Sequence, residues 1–120
     1  MQPFPPAQSL ERLRGDSIAQ VWLDPFGVRL LFESQLQIYV EEGLEHLEAD
    51  GSLWSYECQS ENRRPLVLQR LLYRPIEDVE RQDYRLTLSF GDGVTLSILG
   101  SEGQYESGHI KTPEGAFEVF

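Results

Sequence analysis

Two segments of the chain, LLFESQLQIYV (residues 30–40) and LSFGDGVTLSI (residues 88–98), carry the same alternation of apolar and polar residues 58 positions apart. Sliding the chain against itself by that offset aligns further apolar positions without a gap. Leu10, Arg12 and Leu13 meet Leu68, Arg70 and Leu71, while Ile18 and Val21 meet Ile76 and Val79. Phe26, Val28, Leu30 and Phe32 meet Tyr84, Leu86, Leu88 and Phe90, and Leu36, Ile38 and Val40 meet Val94, Leu96 and Ile98. Seven of these twelve pairs are identical. Any two strand pairs share a period of two, but the agreement continues upstream through LERL and LQRL, where that period does not apply. The sequence therefore reads as an internal duplication of approximately residues 10–40 and 68–98. Two copies are too few for a solenoid, so the units are expected to pack into one domain spanning residues 1–120.

Each unit reads in the same order. A short Leu-containing turn of helix comes first, SLERLRG with Ser9 as cap and Gly15 as stop, or PLVLQRLL after Pro65. A strand follows near Ile18–Leu23 or Ile76–Arg81, and its apolar positions fall three apart, the mark of a bulge or a twisted edge. In the hairpins Val28, Leu30 and Phe32 share a face, as do Leu36, Ile38 and Val40, with polar residues opposite. Such alternation describes antiparallel sheets with one buried and one wet face. Gly91-Asp92-Gly93 suits a tight turn, and Ser34-Gln35 makes a weaker one. SLWSYECQ reads as another strand, and the segment from Tyr105 to Phe120 as two short strands around Thr112-Pro113-Glu114-Gly115. The expected fold class is mainly β: antiparallel sheets from two duplicated hairpin units, about eight strands, with one or two short helices.

Charge narrows the partners. The chain has 20 acidic against 10 basic residues and a formal net charge of −10, which disfavours nucleic-acid backbones. No apolar run is long enough to span a membrane, the opening MQPFPPAQ lacks the features of a secretory signal, and one cysteine, Cys58, suits a reducing cytoplasm. From Leu30 to Asn62 there is no Lys or Arg but eight acidic residues, after which six arginines fall within residues 63–85. Such a segment either keeps a domain soluble or steers a basic partner toward it.

Few residues suggest catalysis. Glu42, His46 and Asp50 are spaced by four, so a helix there would align them, but one histidine among carboxylates is weak metal-site chemistry. No metal or cofactor is expected. Ser107 and His109 fall on one side of a strand without an identifiable orienting acid, and Cys58 in an alternating strand reads as a small apolar filler. A P-loop, a GxGxxG motif and zinc-type spacing are all missing from the sequence. No enzyme is expected. Aromatics are the stronger candidates, because Trp22, Tyr39, Trp54, Tyr56, Tyr73 and Tyr105 do not all fit one buried face. Tyr39 beside Glu41 and Glu42 combines an aromatic anchor with an acidic rim.

Three segments, LRGDSIAQVWLDPFGVRLLFESQLQIYVEEG, LQRLLYRPIEDVERQDYRLTLSFGDGVTLSIL and YESGHIKTPEG, together resemble a family of small uncharacterised bacterial proteins, a domain of unknown function. Its members pair two L-x-F hairpins with a terminal Y-E-S/A-x-x-I/L-x-x-P/G-x-G segment, matched here by Tyr105, Glu106, Ser107, Ile110, Pro113 and Gly115. Gly108 stands where that family has a Trp. The resemblance implies a fold but no activity. The expected function is a non-catalytic, acidic protein-binding module, an immunity or adaptor protein docking on a basic partner. A small-molecule-binding β domain with a pocket between the units is the alternative, and an enzyme with an unidentified site comes third. The expected binding residues are Tyr39, Glu41, Glu42, Glu45, Glu48 and Asp50, on one exposed surface.

Overall fold

The computed structural model describes residues 2–59, 65–103 and 105–120. Both hairpins form where the alternation puts them. The first unit supplies β1 (Ile18–Leu23), β2 (Val28–Phe32) and β3 (Gln37–Val40), followed by β4 (Gly43–Leu47) and β5 (Leu53–Glu57). The second supplies β6 (Asp78–Gln82), β7 (Arg85–Ser89) and β8 (Thr95–Leu99), then β9 (Gly108–Lys111) and β10 (Phe117–Val119). Among the described residues, helix is confined to α1 (Ala7–Leu10) and to 3₁₀ turns at Glu11–Leu13 and Leu68–Leu71. The fold is mainly β, as expected. The described residues form ten strands rather than about eight, and the strand missed in the sequence is β4.

Individual strand pairings recur at the 58-residue offset. Val21 faces Leu30, and Leu30 faces Ile38; 58 residues on, Val79 faces Leu88, and Leu88 faces Leu96. The amide of Phe32 donates to the Leu36 carbonyl at 2.9 Å, and that of Phe90 to the Val94 carbonyl at 2.9 Å. Contacts between the units are reciprocal. Gly15 N–H donates to Ile76 O (2.8 Å) and Tyr73 N–H, at the position equivalent to Gly15, donates to Ile18 O (2.9 Å). Such mutual contacts resemble those across a twofold axis between identical subunits. As edge strands, β1 and β6 are only lightly buried, and β1 carries a register irregularity between Ile18 and Gln20, the bulge its spacing implied.

The last two strands of each unit change sides. Sheet A has the order β1-β2-β3-β9-β10 and sheet B the order β6-β7-β8-β4-β5, so each hairpin that ends one unit completes the sheet of the other. These hairpins correspond at an offset of 64. Glu45 faces Ser55 as His109 faces Val119, and His46 faces Trp54 as Ile110 faces Glu118. Their turns match too: Glu48 N–H donates to Ser52 O and Thr112 N–H to Ala116 O, both at 2.9 Å. The offset grows from 58 to 64 because the second crossover, between β8 and β9, is six residues longer than the first, between β3 and β4.

The inward residues of both sheets form one hydrophobic cluster, with Ile18, Leu30, Ile38, Leu86, Leu96 and Ile98 fully buried. Phe32 and Phe90 are buried at equivalent places. The 3₁₀ turns bury Leu13 and Leu71 against the same cluster, so the LERL and LQRL segments serve the core at matching positions.

Candidate functional site

The two crossovers between the sheets touch, and the repeat is least exact there. Glu41 and Glu42, between β3 and β4, donate their amides to the Ser107 carbonyl just before β9, at 2.7 and 3.2 Å. Around this junction Glu41, Glu42, Gln59, Ser101, Tyr105 and Glu106 line an open pocket of about 420 Å³. Three of these residues are acidic. Burial first, and then the negative charges of Glu106 and Asp24, raise the pKa of the Glu41 carboxyl above its ordinary value. Among the described residues, no Arg or Lys forms an ion pair with Asp24, Glu41, Glu42 or Glu106.

Tyr39 borders the junction on the outer face of sheet A. Its ring lies over Gly27, where an added Cβ would come within 2.8 Å of the ring, so the glycine provides the space it occupies. Its hydroxyl donates to the Asp24 carboxylate at 2.9 and 3.0 Å. Burial, the bond to Asp24 and the charges of Asp24 and Glu41 push its pKa up to about 12. Asp24 is held below its ordinary value, first by the Phe26 amide (2.7 Å) and also by the Tyr39 hydroxyl. The turn residue Phe26 is itself 64 % exposed. Tyr39 and Glu41 are both half-buried and close enough for the charge of Glu41 to act on the Tyr39 hydroxyl, and Glu42 beside them is exposed.

The other expected residues do not join them. Residues 43–47 form a central strand between β5 and β8, and not a solvated acidic stretch or a helix. Alternation along β4 buries Leu44 and His46 and turns Glu45 to the outer face of sheet B, where Arg85 pairs with it at 2.7 Å. At the far end of the strand Glu48 pairs with Arg70 and accepts from Trp54 Nε1 at 3.1 Å, and these two partners lower its pKa. Asp50 caps its own turn through the Ser52 amide at 2.9 Å, which lowers its pKa. The expectation of a single exposed surface is thus corrected. Glu41 and Glu42 stay together, whereas Glu45, Glu48 and Asp50 are spread along β4 and its turn and bonded to neighbouring groups.

The strand also separates Glu42, His46 and Asp50, which a helix would have aligned, and no described group of three His, Cys, Asp or Glu side chains is placed to hold a metal ion. Burial lowers the pKa of His46, and its Nδ1 has no hydrogen-bond partner. The Ser107 hydroxyl is likewise buried without a partner, while His109 stacks between Tyr39 (5.4 Å) and Phe117 (4.5 Å), so the two do not form a catalytic pair. A pocket of about 240 Å³ lies between Leu10 and Leu13 of the first unit and Ile110 and Ala116 of the second, beside an Arg12–Glu114 ion pair of 2.7 Å. It falls below the roughly 300–1,000 Å³ usual for small-molecule sites.

Asp24 and Glu106 were missed because they stand 17 residues before Glu41 and 64 residues after Glu42. The β1–β2 turn carries Asp24 to Tyr39 on β3, and the meeting of the two crossovers brings Glu106 to Glu41 and Glu42. The usable signal was the six-residue excess of the second crossover, which appears once both hairpins are aligned. Compared with protein-family models, curated proteins and solved structures, the chain matches none.

Proposed function

We propose that this chain is a non-catalytic binding module that docks on a basic protein partner, as an immunity or adaptor protein does, through the crossover junction. One observation carries the reading. The described acidic residues of β4 and its turn are bonded to neighbouring groups, yet Glu41, Glu42 and Glu106 line one pocket with no ion pair among the described residues. A Lys or Arg side chain entering that pocket would meet carboxylates that carry no ion pair, and would offset the charges of Glu106 and Asp24 that add to burial in raising the Glu41 pKa. Tyr39 and Phe26 supply aromatic surface beside it, the composition of an interface hot spot. The duplication of the two units, the resemblance to a family of small bacterial proteins and a cytoplasmic setting belong to the same reading.

The test is affinity capture from the producing cell, with the wild type and with Glu41→Lys/Glu42→Lys as bait. Glu45 is left unchanged because a lysine at that position would face Arg85 and remove its ion pair. A basic protein retained by the wild type and lost by the variant supports the reading. Equal retention by both baits would reduce the junction to a solubilising surface.

A further inference from the structure

The outer face of sheet A differs in chemistry from the rest of the molecule. Cross-strand partners form two rows over all five strands: Trp22, Arg29, Tyr39, His109 and Val119, and beside them Gln20, Leu31, Gln37, Lys111 and Phe117. At ~4.8 Å per strand each row reaches about 19 Å. Neither row contains an acidic residue. Trp22 is 54 % exposed and Phe117 59 %. The side chains are also held in place before any ligand arrives. Trp22 Nε1 donates to Gln20 Oε1 (2.8 Å), Arg29 donates to Gln37 Oε1 (3.2 Å), and the Arg29 guanidinium sits 4.7 Å from the Tyr39 ring centre.

The second sheet is an internal control. At the positions equivalent to Trp22, Arg29, Tyr39, His109 and Val119, sheet B carries Glu80, Thr87, Ser97, Glu45 and Ser55, again one continuous row. In that row the same strands and register form with hydroxyls and carboxylates, so folding does not require rings or cations there; the second row of sheet B, Asp78, Ser89, Thr95, Leu47 and Leu53, has neither a ring nor a cation. Charge points the same way. Of the eight Arg and Lys residues described, five pair with carboxylates and Arg74 donates to the Phe90 carbonyl. The two that remain, Arg29 and Lys111, both lie on this face.

We propose that the outer face of sheet A binds a neutral oligosaccharide. Exposed rings suit the C–H faces of sugars, and amides, guanidinium and ammonium suit hydroxyls, which both donate and accept. The first row interleaves rings with a guanidinium and the second sets two amides and an ammonium beside Leu31 and Phe117, whereas a protein–protein interface gathers its charged groups at a rim. A polyanion such as nucleic acid meets only two cations here on a chain of net charge −10, and a polycation finds no carboxylate in either row. The proposal shares Tyr39 with the acidic junction but does not rest on the carboxylates there.

The experiment titrates soluble neutral gluco-, manno-, xylo- and galacto-oligosaccharides, and separately single-stranded oligothymidine, into the whole protein. Trp22 fluorescence and calorimetry are the readouts. At least one sugar is expected to bind with little dependence on salt. Trp22→Glu and His109→Glu, which install the residues of sheet B, should each weaken it by about tenfold or more, ~1.4 kcal/mol, with the unfolding midpoint unchanged. Thr87→Ala on sheet B, and Glu41→Lys/Glu42→Lys at the junction, should bind as the wild type does. Absence of binding to every sugar at millimolar concentration would overturn the proposal, as would binding that survives both sheet A variants or binding of oligothymidine alone. Should the Glu variants fail to fold, Trp22→Ala and Phe117→Ala carry the same expectation.

Discussion

His46 provides a sharp test of how the two units relate, because the repeat puts Ile110 at its equivalent position. The imidazole is 1 % exposed and its Nδ1 has no hydrogen-bond partner, so a polar atom has been taken out of water without compensation. An unsatisfied buried polar group costs roughly 1–3 kcal/mol, and the slightly larger volume of isoleucine returns some of that as crowding against Leu96 and Trp54 across the strands. His46→Ile should therefore raise the stability by about 1–2 kcal/mol at pH 7.5, a large change for a domain of ordinary stability. The pH dependence has a definite sign. Burial lowers the folded-state pKa of His46, so the unfolded chain binds the proton more readily. Wild-type stability then falls as pH drops from about 6.5, the value for free histidine, through the lower folded value. The variant lacks this contribution. Urea unfolding followed by tryptophan fluorescence at pH 7.5 and 5.5 gives both numbers, and the advantage of the variant should be larger at pH 5.5. A loss of more than about 1 kcal/mol at pH 7.5 with an unchanged urea slope would refute the reasoning, since it would mean that His46 makes a stabilising bond absent from this structure.

Other perturbations probe the core, the turn and the junction. Phe32→Ala and Phe90→Ala should each cost about 3–5 kcal/mol in urea unfolding, and similar losses are expected because the two rings are buried at equivalent sites. Gln35 holds a φ of 80° where its repeat partner is Gly93, so Gln35→Gly should gain up to ~1 kcal/mol, read as a higher urea midpoint. The raised Glu41 pKa means that the folded state takes up the proton first. Stability attributable to this group therefore falls as pH rises through the interval between its ordinary and raised values. Glu41→Gln should remove that fall in pH-dependent unfolding while weakening capture of a basic partner.

The hairpins were legible because both alternate apolar and polar residues through four strands, and nothing but a half-buried antiparallel sheet satisfies that pattern. β4 was not. In EEGLEHLEAD the clear apolar residues are Leu44 and Leu47, three apart, and the buried residue between them is a histidine. Its strand geometry is imposed by β5 and β8 on either side rather than by its own composition. The exchange of the last hairpins was hidden for a related reason. Residues 43–57 and 108–119 correspond at a different offset, and their likeness rests on backbone register and the Gly51 and Gly115 turns, both with positive φ, more than on shared side chains. The candidate site was half visible. Tyr39, Glu41 and Glu42 are close in sequence, but Asp24 reaches Tyr39 through the β1–β2 turn and Glu106 reaches Glu41 only because two crossovers meet. The rows on sheet A, with His109 and Phe117 completing them, depend on the same exchange.

The central functional claim is that the carboxylates of the junction, and not the overall negative charge, hold the partner. Affinity for the captured basic protein, measured by calorimetry at two salt concentrations, separates these for Glu41→Lys/Glu42→Lys against Glu80→Lys/Glu118→Lys, a pair with the same change in net charge placed on exposed positions elsewhere. The account predicts that the first pair abolishes both the binding and its salt dependence, while the second weakens it only slightly through long-range screening. Equal losses for the two pairs would contradict it, because the protein would then act through its total charge alone.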